Sequence, residues 1–268
     1  MSATRTLQVT LGLGIVFPIA AALLAPETVH RAWLVATVLV EVACLLLTLQ
    51  VRGGFDPEDP GRRTWNLILG FFTLRLLAEL RLVTLYFDWI PGFITESAEL
   101  SNFYSVTLRY LYTTADVVLI VALLGLLRSY RGLGLQFRIR PPDWIVVAVL
   151  ALMPGLVFVM RDNLGGFLTT DDPALVAYRM VAVIVGVVVA IMSLGVLRYV
   201  TQMGGGALAR IWGAIGIAGV ARATSFVLLA LLSGQSDVLG DLAEQGLLWV
   251  FASCWLAAIL WQRELAAE

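Results

Sequence analysis

The chain has 268 residues but no lysine, one histidine (His30) and only two cysteines, Cys44 and Cys254. All eighteen basic side chains are therefore arginines. The absence of lysine excludes a retinal Schiff base, a phosphate-binding P-loop and any lysine nucleophile. One histidine and two distant cysteines cannot by themselves form a zinc or haem site, so we expect no metal and no cofactor. Both cysteines lie in apolar stretches, which favours buried, unpaired thiols.

Charge of either sign is also scarce. Charged residues make up 14% of the chain, whereas a soluble domain of this size contains about 25%. Hydrophobic residues make up 60%, and the mean hydropathy is +0.89. These values predict a protein whose solvent is the lipid bilayer. The net charge of −1 excludes a nucleic-acid partner held by bulk electrostatic attraction.

Apolar runs of about 20 residues, the length that crosses a bilayer, predict eight transmembrane helices. The runs cover approximately residues 8–25, 31–51, 64–87, 103–128, 143–161, 174–199, 207–233 and 242–262. The separators carry Gly, Pro and Asn turns, and none is long enough for a soluble domain. The sequence thus predicts an all-α integral membrane protein with about eight spans in one membrane domain.

The placement of arginine predicts the orientation of these spans. With the N-terminus inside, eleven arginines fall on the cytoplasmic side and only Arg31 and Arg161 fall outside. The eleven are Arg5, Arg52, Arg62, Arg63, Arg128, Arg131, Arg138, Arg140, Arg198, Arg210 and Arg263. We therefore expect both termini to be cytoplasmic in a bacterial-type inner membrane. An alternative interpretation of the first span is a cleaved signal peptide, but its basic N-terminal region is weak.

A signature recurs in two of the predicted helices. Arg63, Trp65, Ile68 and Arg75 are matched, at a constant offset of 147 positions, by Arg210, Trp212, Ile215 and Arg222. Four spans return a chain to the side on which it began, so a duplication would give two repeats of the same topology. We predict repeats at 1–140, which includes an arginine-rich cytoplasmic loop, and 141–268. The alternative is coincidence, because Arg and Trp are common at membrane interfaces.

Several charged residues lie near the middle of the predicted spans. They are Glu41, Arg75, Glu79, Asp116 and Arg222, and Arg109 shares a helix face with Asp116. A charge at the centre of a bilayer costs a few kcal/mol at least, so these groups should face one another or a wet cavity. We treat the six residues as a candidate charge cluster or ligand site.

Three interpretations of the cluster stay open at this point. The charges form buried salt bridges, pairing Glu79 with Arg75 and either Glu41 or Asp116 with Arg222. Alternatively, they face a polar pocket in which an arginine binds an anionic group of a ligand bidentately. The third interpretation, a proton or ion path, is weakened by the lack of intramembrane histidine.

The seventh predicted span contains a stripe of small residues, Gly213, Gly216 and Gly219. Such a stripe lets a neighbouring helix approach closely, so we predict a packing role. The sequence contains no G-x-S-x-G elbow, zinc-protease motif, Walker loop or dinucleotide fingerprint. We therefore expect no catalytic residue and no enzyme activity.

The sequence supports three functions to different degrees. The first is a non-catalytic sensor or assembly module that binds a ligand, a lipid or a cytoplasmic or membrane protein partner, including another copy of itself. Its cytoplasmic helical end, residues 261–268, resembles in composition the linkers of membrane sensor domains. The second is a secondary transporter or channel for a small anion, favoured by the repeat and the midplane charges. The third is a lipid-modifying enzyme.

Overall fold

The computed structural model describes residues 2–24, 26–86, 98–131, 173–232 and 238–267, with a few further positions between 141 and 152. These residues form seven helices and no strand. The helices are α1 (Ala3–Leu24), α2 (Pro26–Gly53), α3 (Pro60–Tyr86), α4 (Ala98–Arg131), α5 (Pro173–Gln202), α6 (Ala207–Leu232) and α7 (Val238–Ala267). Most of the predicted span 143–161 and of the arginine-rich loop lies outside the described residues.

Four of the described helices are long and apolar enough to cross a membrane. The stretches are Val35–Gly53 in α2, Tyr110–Arg128 in α4, Ile184–Gln202 in α5 and Gly246–Ala266 in α7. Large aliphatic side chains face outward, as Val35, Leu39, Leu46 and Leu49 do along α2. Charged side chains are instead buried at the middle of the helices. Such an inverted distribution is that of a membrane-embedded helical protein.

Six of the helices form a closed ring. Each of α2 to α7 packs against its neighbour in chain order, and α7 packs against α2 to close the ring. Helix α1 lies outside this ring and contacts α2 and α7. The Trp249 indole donates a 2.6 Å hydrogen bond to the Thr10 carbonyl, and the Ala3 amide donates one of 2.9 Å to the Glu264 carboxylate. These two bonds fix α1 antiparallel to α7.

Side-chain contacts define which helix ends meet. We call the end that carries the turns 54–59 and 203–206 the turn end. Helix α7 finishes there, since the Arg263 guanidinium donates a hydrogen bond of 3.3 Å to Gln50 near the end of α2. Gly125 of α4 lies beside Thr64 at the start of α3. Helices α2, α4, α5 and α7 therefore run toward the turn end, and α1, α3 and α6 run away from it.

The two turns are stabilised by different local chemistry. The Asp59 carboxylate accepts a 2.6 Å hydrogen bond from the Gly61 amide and so caps α3, with Pro60 as its first residue. The turn between α5 and α6 contains Gly204, Gly205 and Gly206 at φ values of 68°, 109° and 92°. Residues with a side chain rarely adopt these values, which explains the run of three glycines.

The glycine stripe of α6 packs against α5. Gly213 faces Val200, Gly216 faces Leu197 and Gly219 faces Ser193. A Cβ atom at Gly216 would lie 2.6 Å from the Leu197 side chain, and one at Gly219 would overlap Ser193. A Cβ atom at Gly213 would lie 3.7 Å from Val200, an ordinary van der Waals distance. The stripe therefore lets α5 approach closely along two of its three positions.

We predict that Gly219→Ala lowers the free energy of unfolding by about 1–3 kcal/mol, because overpacking must push α5 away. Adding Ser193→Gly should restore most of the loss, since it removes the side chain that the new methyl group meets. The measurement is reversible unfolding in lipid–detergent bicelles.

Gly213→Ala is the matched control, because its new methyl group meets only an ordinary contact. Alanine has the better helix propensity, so this variant should be as stable as the wild type or slightly more stable. Equal losses for the two alanine variants would contradict the packing described for α5 and α6.

Candidate functional site

The charged side chains meet at one level of the ring. Arg75 and Arg222 each lie fifteen residues beyond the first residues of α3 and α6, and Asp116 lies fifteen before the last residue of α4. At 1.5 Å per residue, these three positions are about 22 Å from the turn end. Glu41 of α2 lies about 18 Å from that end by the same rise. Four helices thus bring charge to a common depth, which matches the centre of a bilayer.

Arg75 is bound by two carboxylates. Its Nε donates a 2.9 Å hydrogen bond to Glu41 Oε1, and its Nη2 lies 2.7 Å from the same oxygen. Nη2 also donates a 3.0 Å hydrogen bond to Glu79 Oε1 one turn along α3. Arg75 and Glu41 are both 0% exposed, and Glu79 is 4% exposed. This triad ties α2 to α3 with charge-assisted bonds that the apolar surroundings strengthen.

Aromatic rings cover the remaining faces of the Arg75 guanidinium. Its Cζ atom lies 4.9 Å from the ring centroid of Phe251 in α7 and 5.8 Å from that of Tyr112 in α4. Both distances are within the range of cation–π attraction. Phe251 continues into an aromatic layer with Phe71 and Trp255, whose ring centroids are 5.9 and 6.5 Å away. Arg75 therefore contacts side chains from four helices of the ring.

Arg222 and Asp116 form a second ion pair. Arg222 Nη2 lies 3.2 Å from Asp116 Oδ2, and Nε lies 3.5 Å from Oδ1, a bidentate arrangement. Asp116 is fully buried and Arg222 is 6% exposed. The Arg222 Cζ atom is 6.0 Å from the Tyr112 ring centroid, so this ring lies close to both guanidinium groups. The pair ties α6 to α4 across 106 residues of sequence.

The structure brings five of the six predicted cluster residues together, and the side chain of the sixth, Arg109, lies outside the described residues. The sequence allowed Glu41 or Asp116 as the partner of Arg222; the structure pairs Asp116 with Arg222 and Glu41 with Arg75. Phe251 is a member that the sequence did not indicate, since buried aromatics are common in such helices. Whether the cluster binds a ligand stays a prediction.

Three polar atoms of the site have no hydrogen-bond partner among the described residues. They are Glu41 Oε2, Arg75 Nη1 and the Tyr112 hydroxyl oxygen. The Tyr112 hydroxyl faces the Glu79 carboxylate without a hydrogen bond of standard geometry. A buried polar atom without a partner costs about 1–3 kcal/mol. The centre thus holds unused hydrogen-bonding capacity beside its ion pairs.

The described groups of the centre are carboxylates, guanidinium groups and aromatic rings. Within the described ranges, no three His, Cys, Asp or Glu side chains come together to hold a metal ion. Cys44 and Cys254 are buried and unpaired, and the Cys44 thiol faces the Ala252 carbonyl at 4.0 Å. Each described guanidinium of the centre is bound by at least one carboxylate, so these contacts tie helices of the ring together.

Comparison with protein-family models, with characterised proteins and with solved structures gives no significant match. The fold and the site define a class nevertheless: a helical membrane-embedded protein with buried ion pairs at mid-membrane depth. Its function has to be argued from its own residues.

We predict that Asp116→Leu and Arg222→Met each lower the free energy of unfolding by about 3–5 kcal/mol, because each leaves an uncompensated buried charge. The double variant should lose less than either single variant, since two apolar side chains of similar volume then replace the pair. A double-mutant cycle measured by unfolding in bicelles gives the coupling.

Arg263→Met is the control for loss of an arginine, because Arg263 is exposed at the turn end. It should change stability by no more than about 0.5 kcal/mol. Additive losses in the double variant would mean that Asp116 and Arg222 do not stabilise each other.

Proposed function

We propose that the protein is a non-catalytic sensor or assembly module of the membrane, which binds a lipid, a small ligand or a protein partner and responds through its cytoplasmic end. The observation that carries this proposal is that both described intramembrane arginines are already engaged by carboxylates of the same chain. Charges used in this way fix the positions of helices relative to one another. A module that reports binding needs such a rigid centre.

The same observation argues against the transport of small anions. An incoming anion would have to displace Glu41, Glu79 or Asp116 from a guanidinium group, and the described side chains of the centre include three carboxylates but only two arginines. A lipid-modifying enzyme would need carboxylates near the membrane interface, where headgroups lie. Glu41 and Asp116 are about 18–22 Å from the turn end, at the depth of the acyl chains, and Glu79 is about 28 Å from that end.

We further propose that the chain contains two repeats of the same topology and eight spans. The helix starts support the repeat, since α2 and α5 begin at Pro26 and Pro173, and α3 and α6 at Pro60 and Ala207, both 147 positions apart. Apart from the first arginine of each copy, which is exposed, the signature residues are buried in both copies, as Trp65 is 2% and Trp212 is 5% exposed. Equivalent faces of α3 and α6 thus point inward.

The directions of α4 and α5 support the eighth span. Both helices run toward the turn end, although they follow each other along the chain. The chain must therefore change ends between Arg131 and Pro173, where the sequence predicts the span 143–161. One further crossing satisfies this requirement.

We assign the turn end to the cytoplasm of a bacterial-type inner membrane. Eight of the arginines predicted to be cytoplasmic lie near this end. The last turns of α7 also connect several helices there: Arg210 of α6 lies 5.9 Å from the ring centroid of Trp261, Arg263 bonds α2, and Glu264 bonds α1. A partner that moved the end of α7 would therefore move three other helices.

We expect native mass spectrometry of the protein released from nanodiscs to show a stoichiometric additional mass, either a specific lipid, a small molecule or a protein. The mass should be lost in Arg75→Ala, because this change releases α2 from α3. The folded double variant Asp116→Leu/Arg222→Met is the control for loss of charge without loss of packing.

A bare chain with only bulk lipid, together with anion flux in proteoliposomes, would contradict the module and favour transport. If anion flux is observed without an additional mass, it should disappear in the same double variant, because anion transport would need Arg222.

The proposed orientation predicts which positions are reached by a membrane-impermeant thiol reagent. In a chain without Cys44 and Cys254, Asp56→Cys and Thr201→Cys should react only in inside-out vesicles, because both exposed positions lie at the turn end. Glu96→Cys, in a predicted outside loop, should react only in intact spheroplasts. Labelling of Asp56→Cys and Thr201→Cys from opposite sides of the membrane would show that the two turns do not share an end.

A further inference from the structure

The described centre of the ring carries an excess of negative charge. Three carboxylates, Glu41, Glu79 and Asp116, meet two guanidinium groups, Arg75 and Arg222. If every group is ionised, the sum is one negative charge inside the spans, where Glu41 lies about 18 Å and Glu79 about 10 Å from the nearer ends of α2 and α3. An uncompensated charge at that depth costs a few kcal/mol or more. One additional positive charge at the centre would remove this cost.

The imbalance belongs to the Arg75 triad. The Asp116–Arg222 pair is neutral by itself, whereas Arg75 has two carboxylates on one nitrogen, with Nη2 2.7 Å from Glu41 Oε1 and 3.0 Å from Glu79 Oε1. A guanidinium carries one positive charge and cannot neutralise both. The excess charge is therefore located on Glu41 or Glu79.

The hydrogen bonds distinguish these two carboxylates. Glu41 Oε1 accepts a hydrogen bond from Arg75 Nε and lies 2.7 Å from Nη2, whereas Glu79 Oε1 accepts only from Nη2, at 3.0 Å. A carboxylate with fewer charged donors gains less from staying ionised. The Tyr112 hydroxyl faces Glu79 and carries no charge, so it adds no second positive group to this carboxylate. Glu79 is thus the less compensated of the two.

Each helix around Glu79 contributes identifiable groups. Helix α2 supplies Glu41, α3 supplies Arg75, α4 supplies Tyr112 and Asp116, and α6 supplies Arg222; α7 supplies the uncharged ring of Phe251. Further arginines on the helices of the ring, Arg81, Arg109 and Arg179 among them, have side chains outside the described residues. None of the described groups supplies the one additional positive charge that would balance the centre.

We propose that the centre binds one proton, carried by Glu79 and balancing the second carboxylate on Arg75. The proton comes from water and forms an O–H bond on the Glu79 carboxyl group. This inference deepens the proposed function, because it names the proton as a ligand of the same cluster. It rests on the proposed function only for the role that this proton has in the cell. A module that binds a proton at its centre responds to pH.

The test is infrared spectroscopy of the protein in lipid bilayers. At neutral pH, the wild type should show the carbonyl stretch of one protonated carboxylic acid, which ionised carboxylates lack. Glu79→Gln should lose this band. Glu41→Gln should lose it too, because Arg75 then has one carboxylate and Glu79 ionises. The exposed Glu58→Gln, in the turn between α2 and α3, is the control and should keep the band.

Raising the pH should remove the wild-type band with the release of one proton per molecule. The midpoint of thermal unfolding should fall as the pH rises from the range in which a free carboxyl group ionises to the pH at which the band disappears, because only the folded state holds the proton there, and it should level off above that pH. In Glu79→Gln the midpoint should not depend on pH in that range. The wild-type titration decides the matter even if a variant does not fold.

Absence of the band in the wild type at neutral pH would overturn the proposal, since another cation would then balance the centre. A band that persists in Glu79→Gln or in Glu41→Gln would overturn it as well. The infrared measurement needs no partner or ligand. Failure of the proton site can therefore be distinguished from failure of the module, which is judged by the additional mass.

Discussion

The arrangement of the helices depends on the Arg75 guanidinium and the two carboxylates that it binds. Burying a guanidinium among apolar helices is unfavourable unless its hydrogen bonds and charge are matched. Glu41, Glu79 and the rings of Phe251 and Tyr112 provide that match from α2, α3, α4 and α7. Removing any of these helices from the ring would expose a charge to lipid. The polar centre therefore restricts the ring to one arrangement more strongly than non-directional apolar packing does.

The two halves of the chain contribute unequally to this centre. All three carboxylates and one arginine come from the first half, and the second half supplies Arg222 together with the close α5–α6 packing along the glycine stripe. The Asp116–Arg222 pair connects the halves through α4 and α6. If the halves arose by duplication, they have since become complementary, because the charge of one is balanced only in the presence of the other.

Part of this arrangement could be predicted from the sequence. Helical spacing alone puts Arg75 beside Glu79, and the length of the apolar runs puts Glu41, Asp116 and Arg222 at similar depth. The choice of Glu41 for Arg75, and of Asp116 for Arg222, depends on which helices are neighbours, and periodicity within one helix contains no such information. The contact of Phe251 with Arg75 could not be predicted for the same reason, because it joins two different helices. The sequence likewise does not indicate which helix packs against the glycine stripe, and the structure shows that it is α5.

The sequence distance between Asp116 and Arg222 has a consequence for how the protein is made. These residues are 106 positions apart, whereas Glu41 and Arg75 are 34 apart. At about 5–20 residues per second, a ribosome needs roughly 5–20 s to reach Arg222 after Asp116. Helix α4 is thus synthesised well before Arg222, the partner that Asp116 has in the folded protein. Of the described ion pairs, this one is the last that can form as the chain is made.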